Sequence, residues 1–309
     1  MVAQLRRVGV LGAGVMLVDM TVALLGPVIA WHIVMRAEGI SIAFVDTLAS
    51  SLMGHSVNLI SPLMYFGGEG VRTFHVARLT GTPRHRVLAT VVAVEFQQLT
   101  ALSATIAAAL VIAAGTGRST GMPLLWMTAG AVSLVAIVAC IFLVLWLNLG
   151  LLARTIGLLM RCGILPGRLA RARGAAAEME QVVRLLLVRH ELAFLISQVL
   201  VFLSPLAQFV LPAIFFWCVG ASPPSLAQLS SCFVLVQLLL MIPVTPAGIG
   251  VYEGGLVGIF RLHGWSIPDG AAYAILIRMD DVLFSICGAA LLARFGLMNV
   301  QEHEAETLA

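Results

Sequence analysis

Residues 246–253 read Pro-Ala-Gly-Ile-Gly-Val-Tyr-Glu, PAGIGVYE in one-letter code. They lie between the apolar runs CFVLVQLLLMIPV (232–244) and GGLVGIF (254–260). Proline removes a helix hydrogen bond, glycine favours unwinding, and a carboxylate is costly in hydrocarbon. The stretch therefore breaks a helix inside apolar surroundings. Irregular backbone at that depth must be buried in protein or line a water-filled cavity.

The rest of the chain makes those surroundings a membrane. Of 309 residues, 60% are hydrophobic and 11% charged, with a mean hydropathy of +1.03. A soluble domain needs more polar surface than that. The apolar runs are continuous rather than alternating, which excludes a membrane β-barrel. The fold class is an all-α polytopic membrane protein with about 6–8 transmembrane helices, two of them broken or re-entrant. The five cysteines have neither metal nor redox spacing and read as small core residues. All 18 basic residues are arginines and fall largely in loops, where they orient the chain rather than recruit nucleic acid. The N-terminal apolar run has no cleavage site and reads as a first membrane helix, not a signal peptide.

Spans are expected at 8–34, 41–66, 87–114, 122–149, 191–217 and 225–243. A short piece at 254–262 and a last span at about 270–294 follow. One integral domain thus covers 1–296, and the polar tail 297–309 is expected to be disordered. The loop after residue 66 carries Arg72, Arg78, Arg84 and Arg86, and the segment 150–190 carries Arg154, Arg161, Arg168, Arg171, Arg173, Arg184 and Arg189. The positive-inside rule places both of these and the N-terminus in the cytoplasm, with an even number of crossings between them. Within the second loop, 168–190 reads as a basic amphipathic helix against the inner leaflet, or else as a solvated connector.

Polar groups at membrane depth are candidate site residues. Thr47, Ser51, His55, Asn58 and Pro62 recur every three or four residues, forming one polar helix face. That face ends at Gly67-Gly68-Glu69. His55 alone reads as a hydrogen-bonded core residue. Glu69 and Arg72 are spaced to pair on a helix. Glu95 lies about ten residues into its span and needs a cation, for which Arg72 is the candidate. Arg278 and Asp281 share a face with Ser285, while Asp280 points elsewhere. The two interruptions also match each other. Pro62 precedes Glu69 by seven residues, as Pro246 precedes Glu253, with glycines between, and a buried charge (Glu95, Arg278) follows about 25 residues later. Paired broken helices in two halves of a chain point to a transporter's binding site.

The motifs NLISPLMYFGGEGVR (58–72) and IPVTPAGIGVYEGG (242–255), with Glu95 and Arg278, resemble the flippase-like membrane family typified by the transmembrane portion of lysylphosphatidylglycerol synthases. The resemblance covers roughly residues 8–296, and its Gly-Gly-Glu form is similar to a branch associated with hopanoid synthesis. The chain departs from the family's pattern at Leu63–Phe66, Phe96 and Ala247. The resemblance implies a multi-pass protein of the bacterial cytoplasmic membrane that moves a polar or anionic lipid between leaflets. The lipid would be a phospholipid, an aminoacyl-phospholipid or a hopanoid-type lipid. Asn58, Glu69, Arg72, Glu95, Glu253, Arg278 and Asp281 would meet the headgroup, while Pro62, Gly67, Gly68, Pro246, Gly248 and Gly250 would shape the breaks. Catalytic residues, metal ligands and cofactors are not expected, because no Asp-rich, Ser/His or HExxH pattern occurs. The alternatives are a non-catalytic partner of a lipid or envelope-polysaccharide synthesis complex, and an intramembrane lipid-modifying enzyme.

Overall fold

A computed structural model describes residues 1–61, 67–115, 189–240 and 248–308, with positions 132 and 136. The described residues are helical throughout, apart from turns. The helices are α1 (Val2–Ala37), α2 (Phe44–Ile60), α3 (Gly68–Thr80), α4 (Arg84–Gly115), α5 (Glu191–Val201), α6 (Leu203–Val219), α7 (Leu226–Leu240), α8 (Val251–Leu262) and α9 (Ile267–Leu308). Among the described residues, three stretches are long and apolar enough to cross a bilayer: Val2–Ala37, Arg84–Ala113 and Glu191–Val219. The chain is a polytopic membrane protein. Pro62, Pro246, the span expected at 122–149 and the connector up to residue 188 lie outside the described residues.

α1 is the spine. It is broken at Gly9 and then runs beside α5 and α6 in the opposite direction. Near its start, Val8 and Met16 cluster with Phe215, Val219, Leu256, Phe260 and Tyr273. Near its end, Trp31, Val34 and Met35 cluster with Val76, Val87 and Val91. The Trp31 indole N–H donates to Thr90 Oγ1 at 3.0 Å. Close approach of α1 to α5–α6 uses glycine. A side chain at Gly26 would strike Leu203 at 3.0 Å, and one at Gly12 would meet Cys218 at the same distance. Small residues at such contacts let backbones approach where no hydrophobic drive brings helices together.

Two helical hairpins insert from opposite ends of this spine. α2 and α3 pack antiparallel. Their open end sits at the end of α1, where His32 meets Thr47 at 3.0 Å and Arg86 donates to the Glu38 carbonyl at 3.1 Å. α7 and α8 form the second hairpin. Its open end sits by the start of α1, where Ser231 and His263 share a 2.6 Å hydrogen bond and Trp265 packs on Phe216 and Phe260. Among the described residues the arms run for 12 to 17 residues, about 18–25 Å at 1.5 Å per residue. The two arms of each hairpin are antiparallel, Asn58 meeting Gly68 and Ser50 meeting His75 in one, Leu239 meeting Gly255 and Ser231 meeting His263 in the other, so each hairpin enters and turns back. α9 then packs on both, against α2 through Gly288 and Leu52 and against α8 through Gly270 and Phe260.

Several sequence expectations change here. The segment after Gly67, expected to be an arginine loop, is mostly the helix α3, and the span expected at 41–66 is only the descending arm. With one hairpin and one crossing between them, Met1 and the Arg84–Arg86 turn lie at opposite ends of the bundle, not on one face. The even number of crossings fails because hydropathy cannot tell an arm that turns back from one that passes through. The short piece expected at 254–262 starts earlier, at Val251, directly after its glycine cap. The last span is longer than expected, and its backbone stays helical through the tail to Leu308, where disorder was expected. Glu, Ala and Leu in QEHEAETL suit a helix already nucleated upstream.

Candidate functional site

The tips of the two hairpins carry the candidate residues. α8 starts at Gly250, whose φ of 84° lies in the left-handed region that glycine enters without steric cost. The Gly250 N–H donates to Glu253 Oε2 at 2.6 Å, so the carboxylate closes the first turn of its own helix. The other oxygen, Oε1, accepts a hydrogen bond from Arg278 Nε of α9 at 2.7 Å, and the Arg278 Nη2 lies 2.6 Å from it as an ion-pair contact. The same guanidinium lies over the Tyr252 ring, 5.6 Å from its centroid. Sequence spacing anticipated the Glu253–Arg278 pair. Tyr252 escaped notice, although its place beside Glu253 was a signal.

The first hairpin repeats this plan with the charges exchanged. α3 starts after Gly67, φ 143°, whose N–H donates to Glu69 Oε2 at 2.7 Å. The Gly68 N–H donates to Asn58 Oδ1 at 2.7 Å, so Asn58 at the end of α2 caps the returning helix. Arg72, one turn further, donates to Glu95 Oε1 of α4 at 2.9 Å. Thus one hairpin presents its arginine to a glutamate on the next helix, and the other presents its glutamate to an arginine. Arg72 reaches across α2 because Gly54 leaves room; a side-chain carbon there would meet Arg72 Nε at 2.6 Å. The expected Glu69–Arg72 pairing gives way to Arg72–Glu95, since Glu69 is turned back to its cap.

His55 joins the halves. Its ring stands edge-on to Phe284 of α9, with centroids 6.2 Å apart, and lies within electrostatic range of Arg72 and within reach of the Asp281 backbone. Its Nε2 is buried without a hydrogen-bond partner. Asp281 in turn feels both Arg278 and Glu253. The order Glu95, Arg72, His55, Asp281, Arg278, Glu253 therefore runs from one hairpin tip to the other. Of the residues expected from the sequence, Arg72, Glu95, Glu253, Arg278 and Asp281 belong to it, Asn58 and Glu69 cap α3 beside it, Gly67, Gly68 and Gly250 lie at the helix starts, and Gly248, φ 64°, is just ahead of α8. The ion-paired side chains are 18% to 37% exposed, so each pair is partly sheltered yet open on one side. A charged ligand that takes one partner of such a pair leaves the other without its counter-ion, so that group must then be compensated by solvent or by a second charge on the ligand.

Comparison with known proteins bears on this arrangement. Residues 2–288 match the family described as the lysylphosphatidylglycerol synthase TM region. The chain belongs to this family. A UPF0104 membrane protein of Methanothermobacter thermautotrophicus is 24% identical over 281 residues, covering 86% of this chain and 80% of that protein. No solved structure matches. The family match spans both hairpins and every candidate site residue.

Proposed function

We propose that the protein is a lipid flippase, moving a polar lipid between leaflets along the path between the two hairpin tips. The observation that carries this reading is the opposed pair of glycine-capped hairpins, each holding an arginine–glutamate pair at its tip. Helix N-termini and guanidinium groups favour phosphate, while the acyl chains stay in lipid outside the bundle. The candidate set contains two arginines, Arg72 and Arg278, but four carboxylates, Glu69, Glu95, Glu253 and Asp281. This balance suits a headgroup that carries an ammonium as well as a phosphate better than a simple anionic lipid. An aminoacyl-phospholipid, the lipid class in the family's description, has both.

The arginine-rich end, with Arg36, Arg78, Arg84, Arg86, Arg189 and Arg294, is assigned to the cytoplasm. The end with Arg6, Arg7 and Arg261 then faces the other side. In proteoliposomes carrying fluorescent phosphatidylglycerol or its lysyl ester, Glu253→Gln and Arg278→Ala are expected to reduce translocation to the level of protein-free vesicles. Their elution in detergent should be unchanged. Normal translocation by both variants would remove the site assignment. The family's association with a synthase also supports a second reading, a non-catalytic membrane partner of a lipid-synthesis enzyme. Stable co-purification with such an enzyme, joined to tolerance of both substitutions, would favour it.

A further inference from the structure

The site above uses one face of α9, and a second set of acidic groups lies on another. Asp280 follows Arg278 by two residues, roughly 200° around the helix. It continues the line of Tyr273 and Ile277, which packs in one cluster with Val8 and Met16 of α1. Asp280 is only 9% exposed, and its Oδ2 is buried without a hydrogen-bond partner. On α1, inside the apolar run GVMLVDMTVALL (14–25), Asp19 lies within electrostatic range of Tyr273. Its Oδ2 is likewise buried and unpartnered.

The charged and titratable groups brought to this part of α9 by its neighbours are Asp19 from α1, His55 from α2, and Glu253 with Tyr252 from α8, while His75 and Arg78 of α3 meet α9 at Phe295, about four turns further along. Cys232 of α7 also lies near Tyr273. His55 and Glu253 address the Arg278–Asp281 face. Tyr252 and Cys232 bring no positive charge. Among the described residues, then, no cation compensates Asp280 or Asp19. A bare carboxylate in such surroundings is strongly unfavourable, and binding a cation removes the cost. A metal ion would need further donors, and the described residues hold no group of three or more acidic, histidine or cysteine side chains able to supply them. A proton needs only one carboxylate oxygen.

We propose that Asp280 is a proton-binding site that drives lipid movement. The coupling part of this proposal rests on the flippase reading. Asp280 takes up a proton from one side of the membrane and releases it to the other. Losing or gaining that proton changes the cost of keeping this face of α9 against α1. Because α9 packs on both hairpins, the same displacement carries Arg278 and Asp281 with it.

Two measurements test the proposal. Dicyclohexylcarbodiimide modifies protonated carboxyls in apolar sites, and peptide mass spectrometry of the treated full-length protein in membranes should find Asp280 labelled, less so as the medium is made alkaline. Absence of label at Asp280 at every pH, or protection by sodium instead of by alkali, would overturn the proton site. In the second, an imposed pH gradient should raise translocation of lysyl-phosphatidylglycerol severalfold in the wild type and in Asp280→Glu. In Asp280→Asn the ratio with and without the gradient should fall to one. An unchanged ratio in Asp280→Asn overturns the coupling, and if that variant does not fold, the Glu variant and the label decide. Wild-type protein that moves no lipid takes down the flippase reading and the coupling with it, while the label still decides proton binding at Asp280.

Discussion

Glu253 shows how much one side chain does at a hairpin tip. One oxygen holds the Gly250 N–H and the other holds Arg278, so the residue both starts α8 and ties it to α9. Its pairing was legible in the sequence, because a glutamate and an arginine at membrane depth each need a partner and few are available. The same reasoning found Glu95 and Arg72. It passed over Asp19, a single carboxylate in an otherwise apolar helix, because no second charge nearby drew attention to it. Gly250 is the residue whose replacement tests the tip. A side chain at φ 84° is strained, so Gly250→Ala should cost about 1–2 kcal/mol. Gly254→Ala, within α8 and with open space around it, should be neutral or gain up to about 1 kcal/mol. Thermal unfolding in detergent would show the difference, and equal melting of the two variants would contradict the tip geometry.

At the level of elements, α3 and α9 departed most from sequence expectation. α3 carries Glu69, Arg72, His75 and Arg78 within 13 residues, which reads as a loop to any hydropathy measure. It is a membrane-inserted arm because its polar groups find partners: Glu95 for Arg72, and Ser50 for His75 at 2.6 Å. α9 has the opposite character, a long helix whose charges sit where the two hairpins converge. Its contact with α2 depends on Gly288, since a side chain there would run into the Leu52 carbonyl and meet Ser56 Cβ at 3.1 Å. Gly288→Ala should therefore destabilise by about 1–3 kcal/mol and impair transport. Gly296→Ala, with nothing within reach, should do neither. Equal melting temperatures and transport rates for the two would show that α2 and α9 are not so closely packed.

For the whole molecule, the testable property is its topology. A cysteine introduced at Gln4 and one at Thr82, each in a cysteine-free background, should react with a membrane-impermeant maleimide from opposite sides of oriented vesicles. Labelling of both from one side would restore the even number of crossings and remove the hairpin. Sequence by itself determined that this chain is solvated by lipid, that it is interrupted at two related places, and that Glu253 and Arg278 pair. Those properties follow from transfer free energy and from the cost of a lone charge, which are local to the residues concerned. Tertiary structure alone decided the direction of each hairpin, the place of His55 between the ion pairs, and the burial of Asp280 without a partner. A helical arm has the same composition whether it crosses the membrane or turns back, and only packing against α1 and α9 distinguishes the two.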